Sequence, residues 1–255
     1  MTEFTSIELM ATIASHQLED GRIVGVGTGL PMIASLLAQR THAPNLVIFF
    51  EAGSMDPQVP TLPISVGDSR CGYRSVAATS LAGIMETGQR GMIDYAFLGG
   101  AEVDMYGNIN STVIGDHDSP RTRLPGSGGA NDFGSLSWRT IIIARHDRTK
   151  LPERVGFITT PGYIDGPGAR ERAGLPPGTG PYRVITNKAL MGFDEETCRM
   201  KLISVHPGVT VEEVLENTGF ELIVPKDVPV SALPTQEELD RLREIDPDGL
   251  IIGRK

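Results

Sequence analysis

The sequence predicts an α/β fold, an open sandwich with a mostly parallel central sheet flanked by helices, as a single domain over residues 1–255. Three observations carry this expectation. Short runs rich in Val, Ile and Phe alternate with stretches whose apolar residues recur at helical spacing, the pattern of βαβ units with right-handed crossovers. A glycine-rich bend, Gly25-Val26-Gly27-Thr28-Gly29-Leu30-Pro31, joins the first strand run to the following helix run. With 40% hydrophobic and 22% charged residues over 255 positions, the chain can fill one sizeable core.

Thr5-Ser6-Ile7-Glu8 has capping-box spacing, and Ile7, Met10, Ala11 and Ala14 follow at helical period, so a helix is expected over 5–18. A strand at 22–26 runs through the glycine bend into a second helix, with Pro31 in its first turn and an end near Arg40. The next strand, 45–50, ends abruptly at Glu51-Ala52-Gly53. Residues 54–75, broken by Pro57, Pro60, Pro63 and Gly67, read as a long irregular segment, which in compact domains tends to be functional. The alanine-rich 75–88 reads as a helix and 94–98 as a buried strand, with Tyr106-Gly107-Asn108 a turn beyond it. A second glycine loop, Gly126 to Asp132, precedes a strand at 140–144. Strands are then expected at 155–159 and, as a pair, at 183–187 and 200–205, with a Pro/Gly-rich loop over 161–180. Capping-box spacing recurs at Thr210 to Glu213 and at Thr235 to Glu238, the latter opening a polar helix over 236–245.

The net charge of −9 and the lack of a Lys/Arg run argue against a nucleic-acid surface. Cys71 and Cys198, outside any metal-ligand spacing, argue against a disulfide scaffold or structural zinc and suit a reducing compartment. The first twenty residues are too polar for a signal peptide, and no apolar run is long enough to span a membrane. A cytoplasmic protein is expected, with no membrane partner.

Glu51 is the residue that demands an explanation. Desolvating a carboxylate is costly unless it is paired, whereas the carboxyl end of an α/β strand is where such sheets bind ligands. One reading makes it the ribose-binding acid of a dinucleotide site after Gly25-x-Gly27, but that fingerprint fails at its third glycine, where Leu30 stands. The other makes it a nucleophile. A carboxylate can attack an activated acyl group and give a mixed anhydride, which survives only in a dry pocket with backbone N–H groups aimed at the oxyanion. Gly27, Thr28 and Gly29, together with Gly128 and Gly129, offer such amides, and Gly53 supplies clearance. Taken singly, each glycine loop is more often only a tight turn.

Other groups have plainer readings. Asp116-His117-Asp118 resembles a metal cluster, but consecutive residues seldom face one centre and a solvated turn is favoured. His16, His42 and His146 have no nucleophile elbow to serve. Cys71 beside Arg70 and Arg74 is either an activated thiol or, more commonly, a buried inert one. Arg121-Thr122-Arg123 is an anion-binding candidate or ordinary surface charge.

Glu51-Ala52-Gly53 resembles the Glu-x-Gly motif of the class I CoA-transferases, and Gly126 to Ala130 their Gly-x-Gly-Gly loop. The resemblance extends over nearly the whole chain, most closely to B-type (beta) chains of the glutaconate branch. It is carried further by Val26 to Pro31, Gly99-Gly100-Ala101, Asp104 with Tyr106-Gly107-Asn108, and Pro161 to Gly168. It implies the CoA-transferase fold, Glu51 as nucleophile through a glutamyl-CoA thioester, and oxyanion or CoA contacts from Gly27, Thr28, Gly29, Gly53, Asn108, Gly128 and Gly129. It further implies an A-type (alpha) partner subunit in a heterotetramer or higher assembly. The substrates would be an acyl-CoA and a carboxylic acid such as glutaconate, with no metal or redox cofactor beyond coenzyme A as substrate. Relatives of the fold that hydrolyse or decarboxylate CoA thioesters form the alternative, with Glu51 as base or binding group.

Overall fold

The computed structural model describes residues 3–253. The chain forms two compact units, one running to Phe97 and resuming at Ala232, the other from Leu98 to Ser231.

In the first unit the elements follow in the order α1 (Ser6–Ser15), β1 (Ile23–Val26), α2 (Leu30–Arg40), β2 (Val47–Phe50), β3 (Ser54–Met55), a 3-10 turn (Ser69–Gly72), β4 (Ala77–Ala78), α3 (Leu81–Gln89) and β5 (Tyr95–Gly99). Strand β1 lies between β2 and β5, parallel to both, with Val24 opposite Ile48 and Tyr95 and Val26 opposite Phe50 and Phe97. All six side chains are buried, and burial of each large apolar group contributes roughly 1.5–3 kcal/mol. The expected α/β class with a mostly parallel sheet is thus present, and β3 and β4 extend it antiparallel beyond β2.

Thr5 caps α1 as its spacing predicts: its hydroxyl accepts the Glu8 N–H at 3.1 Å and the Glu8 carboxylate accepts the Thr5 N–H at 2.8 Å. The last helix, α7 (Gln236–Ile245), carries the same reciprocal box at Thr235 and Glu238. It lays Leu239, Leu242 and Ile245 inward, and Arg243 reaches the fully buried Glu8 at 3.0 Å while Glu238 meets His16. Charges at both ends of α1 therefore seat a helix that is otherwise polar.

The helix expected from residue 75 begins only at Leu81, capped by the Ser80 hydroxyl. Ala77 and Ala78 are drawn into β4 because Met55 and Ser54 offer them a ladder. Helical propensity there loses to strand pairing.

The second unit holds β6 (Glu102–Val103), β7 (Ile109–Asn110), β8 (Val113–Gly115), β9 (Pro120–Arg123), α4 (Ala130–Leu136), β10 (Arg139–Ile143), α5 (Ala169–Arg172), β11 (Gly180–Ile185), β12 (Ala189–Phe193), β13 (Met200–Val205) and α6 (Val211–Glu216). Strands β10 and β11 are parallel, and β12 and β13 follow antiparallel. The expected pairing of 183–187 with 200–205 is corrected: both strands flank β12, a strand that the sequence pattern does not announce, and do not pair with each other. The strand expected at 155–159 is also absent. There Val155 donates to the Asp104 carboxylate and Thr159 to the Ile109 carbonyl, so this segment meets its partners one by one rather than through a ladder. Thr210 caps α6 through the Glu213 N–H, but the Glu213 carboxylate turns to Lys188 and the box stays half closed.

Two polar knots hold this unit. Asn108, wholly buried, donates through Nδ2 to the Asp104 carboxylate and the Ile164 carbonyl, and accepts the N–H groups of Gly162 and Ile164. Gly162 passes so close to this turn that a Cβ there would lie 2.4 Å from the carbonyl oxygens of Tyr106 and Gly107. His146 and His206, each 2% exposed, meet at Thr186: His146 Nδ1 lies 2.9 Å from the Thr186 hydroxyl and His206 Nε2 lies 2.8 Å from its carbonyl oxygen. Burial pushes both imidazoles below the usual histidine range, His146 to about 4.

Asn108→Ala leaves the Asp104 carboxylate and two backbone N–H groups short of partners, and should lower the unfolding free energy by about 3 kcal/mol in urea denaturation. His146 binds its proton more weakly folded than unfolded. Its contribution is therefore complete above about pH 6.5 and falls away as the pH drops towards about 4. The loss should approach about 3 kcal/mol across that window, and the difference in unfolding free energy between wild type and His146→Asn, measured from pH 7.5 to 4.5, reads it.

Candidate active site

The first unit places Glu51 on a tight turn. Phe50 ends β2, and the Gly53 N–H returns to the Phe50 carbonyl at 3.0 Å, so Glu51 and Ala52 are the two central residues of that turn. Glu51 is half-buried and Ala52 exposed. Gly53 cannot be another residue without rearrangement: its φ is +122°, and a Cβ would stand 1.9 Å from the Thr79 carbonyl oxygen. In return Thr79 N–H donates to the Gly53 carbonyl at 2.8 Å, so the turn is fastened to the segment after β4. The small residue after Glu51-Ala52 thus admits the chain's own backbone, and the expected clearance for a ligand is left to Ala52.

The neighbouring strand ends at the same level. Because Val26 faces Phe50 in register, Gly27 and Glu51 leave adjacent strands side by side, at a spacing of about 4.8 Å between strands. The Gly27 N–H continues the ladder to the Phe97 carbonyl at 3.2 Å, and so is engaged. Among the described residues, the N–H groups of Thr28 and Gly29 have no acceptor, and no atom lies within 4 Å of where a Gly29 Cβ would stand. Gly29 opens α2, whose peptide dipoles favour negative charge at this end. Two donors, a helix start and a carboxylate therefore share the carboxyl ends of β1 and β2. This arrangement suits charge that develops on an acyl oxygen while the carboxylate attacks.

A cavity of about 260 Å³ opens from the same turn, lined by Ala52, Gly53, Ser54, Cys71, Ala78 and Thr79 among others. Cys71 is buried and its thiol is pushed up to about 11, mainly by desolvation, so it is the inert cysteine of the two readings. Asp68, in the wall, is bound by the Arg70 guanidinium and held well below the usual carboxylate range. A larger cavity of about 400 Å³, bordered by Gln39, Arg40, Asp56 and Arg74, lies at the opposite end of α2 and so away from Glu51. Beside the smaller cavity Ile64, whose N–H donates to Asp68 in the wall, is 79% exposed, whereas Val76, 80% exposed, borders the larger one.

The other three candidates belong to the second unit. Gly128, exposed, and Gly129, buried, lead into α4. Their loop is hung from two places: Gly126 exchanges hydrogen bonds with Ser111, and Asn131 Nδ2 donates to the Thr159 carbonyl at 2.8 Å. Asn108 is corrected. Both Nδ2 and Oδ1 are spent on the Asp104 turn and the 162–164 backbone, and a residue with no exposed surface cannot touch coenzyme A. Its place in the motif is that of a brace.

Arg170 is a buried arginine that the sequence does not reveal. It is 2% exposed and its guanidinium donates to the carbonyls of Pro161, Gly162, Gly134 and Ser135 and to the Thr179 hydroxyl. Nothing in Ala169-Arg170-Glu171-Arg172 distinguishes it from Arg172, which is exposed. Asp116 is a turn residue, accepting the N–H groups of Asp118 and Ser119, and Arg121 and Arg123 stand exposed on β9. No helix among the described residues is long and apolar enough to cross a membrane.

Residues 7–217 match the family model described as coenzyme A transferase. The chain is 43% identical over 253 residues to the B-type chain of glutaconate CoA-transferase from Acidaminococcus fermentans, covering 96% of this chain and 94% of that protein. The crystal structure of that glutaconate coenzyme A-transferase superposes with a TM-score of 0.94 at 39% identity, covering 100% of this chain and 99% of the other. Identity is 36% over 247 residues to the B-type chain of 3-oxoadipate CoA-transferase from Pseudomonas knackmussii, covering 96% and 95%. The decarboxylase AibA/AibB superposes with a TM-score of 0.84 at 28% identity, over 99% of this chain and 100% of the other. With a glutamate, open backbone amides and a helix start gathered at two parallel strand ends, and with likeness along nearly its whole length to B-type transferase chains, this chain belongs to the coenzyme A transferase family.

Proposed function

We propose that the chain is the Glu-bearing subunit of a heteromeric CoA-transferase that moves coenzyme A from an acyl-CoA to a carboxylic acid such as glutaconate. The observation that carries this reading is the seat of Glu51, on a turn at the end of β2 beside the open amides of Thr28 and Gly29. The Glu51 carboxylate attacks the acyl carbonyl and expels the CoA thiolate, leaving an acyl-glutamyl anhydride. The thiolate attacks the glutamyl carbonyl, releases the first acid as its carboxylate and forms a glutamyl-CoA thioester. A second carboxylate attacks that thioester and displaces the thiolate, which takes the new acyl group and restores Glu51. Carboxylates enter and leave as such, so the cycle needs no general acid and no resident metal or redox cofactor. Thr28 and Gly29 act on the oxyanion of each tetrahedral intermediate, and Gly128 and Gly129 on coenzyme A.

An A-type partner chain is part of the reading. The relatives' names denote one kind of subunit of a multi-chain enzyme, and the exposed Ile64 beside the cavity that opens from the Glu51 turn suits cover by another chain. Such cover would exclude the water that destroys an anhydride. The cytoplasm is the compartment that fits acyl-CoA substrates and two unpaired cysteines.

The complex with an A-type chain, incubated with acetyl-CoA and no acceptor acid, should give a CoA-sized increase in the intact mass of this chain. Glu51→Ala should lose the adduct, and Glu51→Gln and Glu51→Ala should lower kcat by about 10³-fold or more. Transfer at the normal rate in either variant sinks the assignment. Steady consumption of acyl-CoA with no adduct would favour hydrolysis, or the decarboxylation named for AibA/AibB, with Glu51 as base or binding group.

A further inference from the structure

A buried guanidinium ordinarily has a carboxylate beside it. Among the described residues no carboxylate hydrogen-bonds to Arg170, and Glu171 acts on its charge only from a distance; its hydrogen-bond partners are four backbone carbonyls and one hydroxyl, and Nε has no hydrogen-bond partner. A stiff, always-charged fork is costly to bury for packing alone, and what it gains is the simultaneous orientation of several acceptors. The acceptors come from three places. Gly134 and Ser135 lie in α4, Pro161 and Gly162 in the loop that Asn108 braces, and Thr179 lies just before β11.

The α4 helix is only seven residues long, about 10 Å at 1.5 Å per residue, and its first turn issues directly from Gly128 and Gly129. It packs with no slack, since a Cβ on Gly134 would stand 2.2 Å from Thr160 Cγ2. A shift of its rear carbonyls would therefore be carried to the glycine loop at its front.

We propose that Arg170 is a positioning residue for CoA-ester binding: by gripping α4 from behind, it fixes where the Gly126 to Gly129 loop presents its backbone. This rests on the reading that this loop meets coenzyme A. Arg170 touches no substrate itself, and Thr179, which accepts from Arg170 and donates to the Pro176 carbonyl, holds the guanidinium in line.

The test uses the complex with the A-type chain and acetyl-CoA as the varied substrate. Arg170→Lys keeps the charge but cannot span the acceptors, and should raise KM by about tenfold while kcat at saturation stays within about threefold. Amide hydrogen exchange over 126–131 should quicken in step. Thr179→Val should shift KM and exchange in the same direction by less, and it decides the matter if Arg170→Lys does not fold. Arg172→Lys, at the exposed neighbour, should change neither. A lower melting temperature with KM, kcat and loop exchange all unaltered would reduce Arg170 to a stabilising residue and overturn the proposal. Gly128→Val separates the two layers of inference. If it raises KM while Arg170→Lys and Thr179→Val do not, only the positioning role fails. If none of the three moves KM, the loop is not a CoA contact and both fall.

Discussion

The carbonyl of Thr79 occupies the place where any other residue at position 53 would put its side chain. Much of the first unit follows from that approach. It sets the turn that carries Glu51, draws Ala77 and Ala78 into a strand, and delays the start of α3 to Leu81. It also brings the small residues of 52–54 and 78–79 around one cavity. A backbone-to-backbone fit of this kind has no soft side chain to absorb an error, so the carboxylate inherits its position from a close main-chain contact.

The first unit is largely legible in the sequence because its signals are local. Reciprocal capping boxes at Thr5 and Thr235, a proline at the second position of α2, and an apolar run cut off by Glu51 each depend on a few adjacent residues. The second unit is less legible because its organisation is not local. Strand β12 is short and includes Gly192, residues 155–159 have strand-like composition but no ladder, and α4 hides in a glycine loop with seven residues to show. Among the candidate residues, the gathering of Glu51, Thr28 and Gly29 at two strand ends follows from strand-end logic. Asn108 reads as a ligand contact although its bonds run to Asp104, Gly162 and Ile164, because a motif shows which residues recur and not which way an amide faces. Gly53 admits the Thr79 carbonyl as well as lining the cavity, a close approach that its sequence context does not announce.

The two units differ in what fixes them. The first relies on apolar strands under helices whose polar groups are settled at their ends. The second keeps Asn108, Asp104, His146, His206 and Arg170 in its interior, each with several partners. Such networks define one geometry sharply and tolerate partial satisfaction poorly. Precision of this kind holds a glycine loop that supplies no side-chain bulk to keep its own shape.

The attachment of α7 to α1 through Glu8 and Arg243 has a bearing on how the protein is made. The first unit is discontinuous in the chain, and its last helix is synthesised only after all of residues 98–231. On a ribosome the second unit is complete and contiguous while α1 still exposes the face that α7 will cover, and Glu8 still lacks its guanidinium. Closure of the first unit is then a late event with high contact order, and the nascent chain spends that interval with an apolar helical seam open to chaperones or to misassembly.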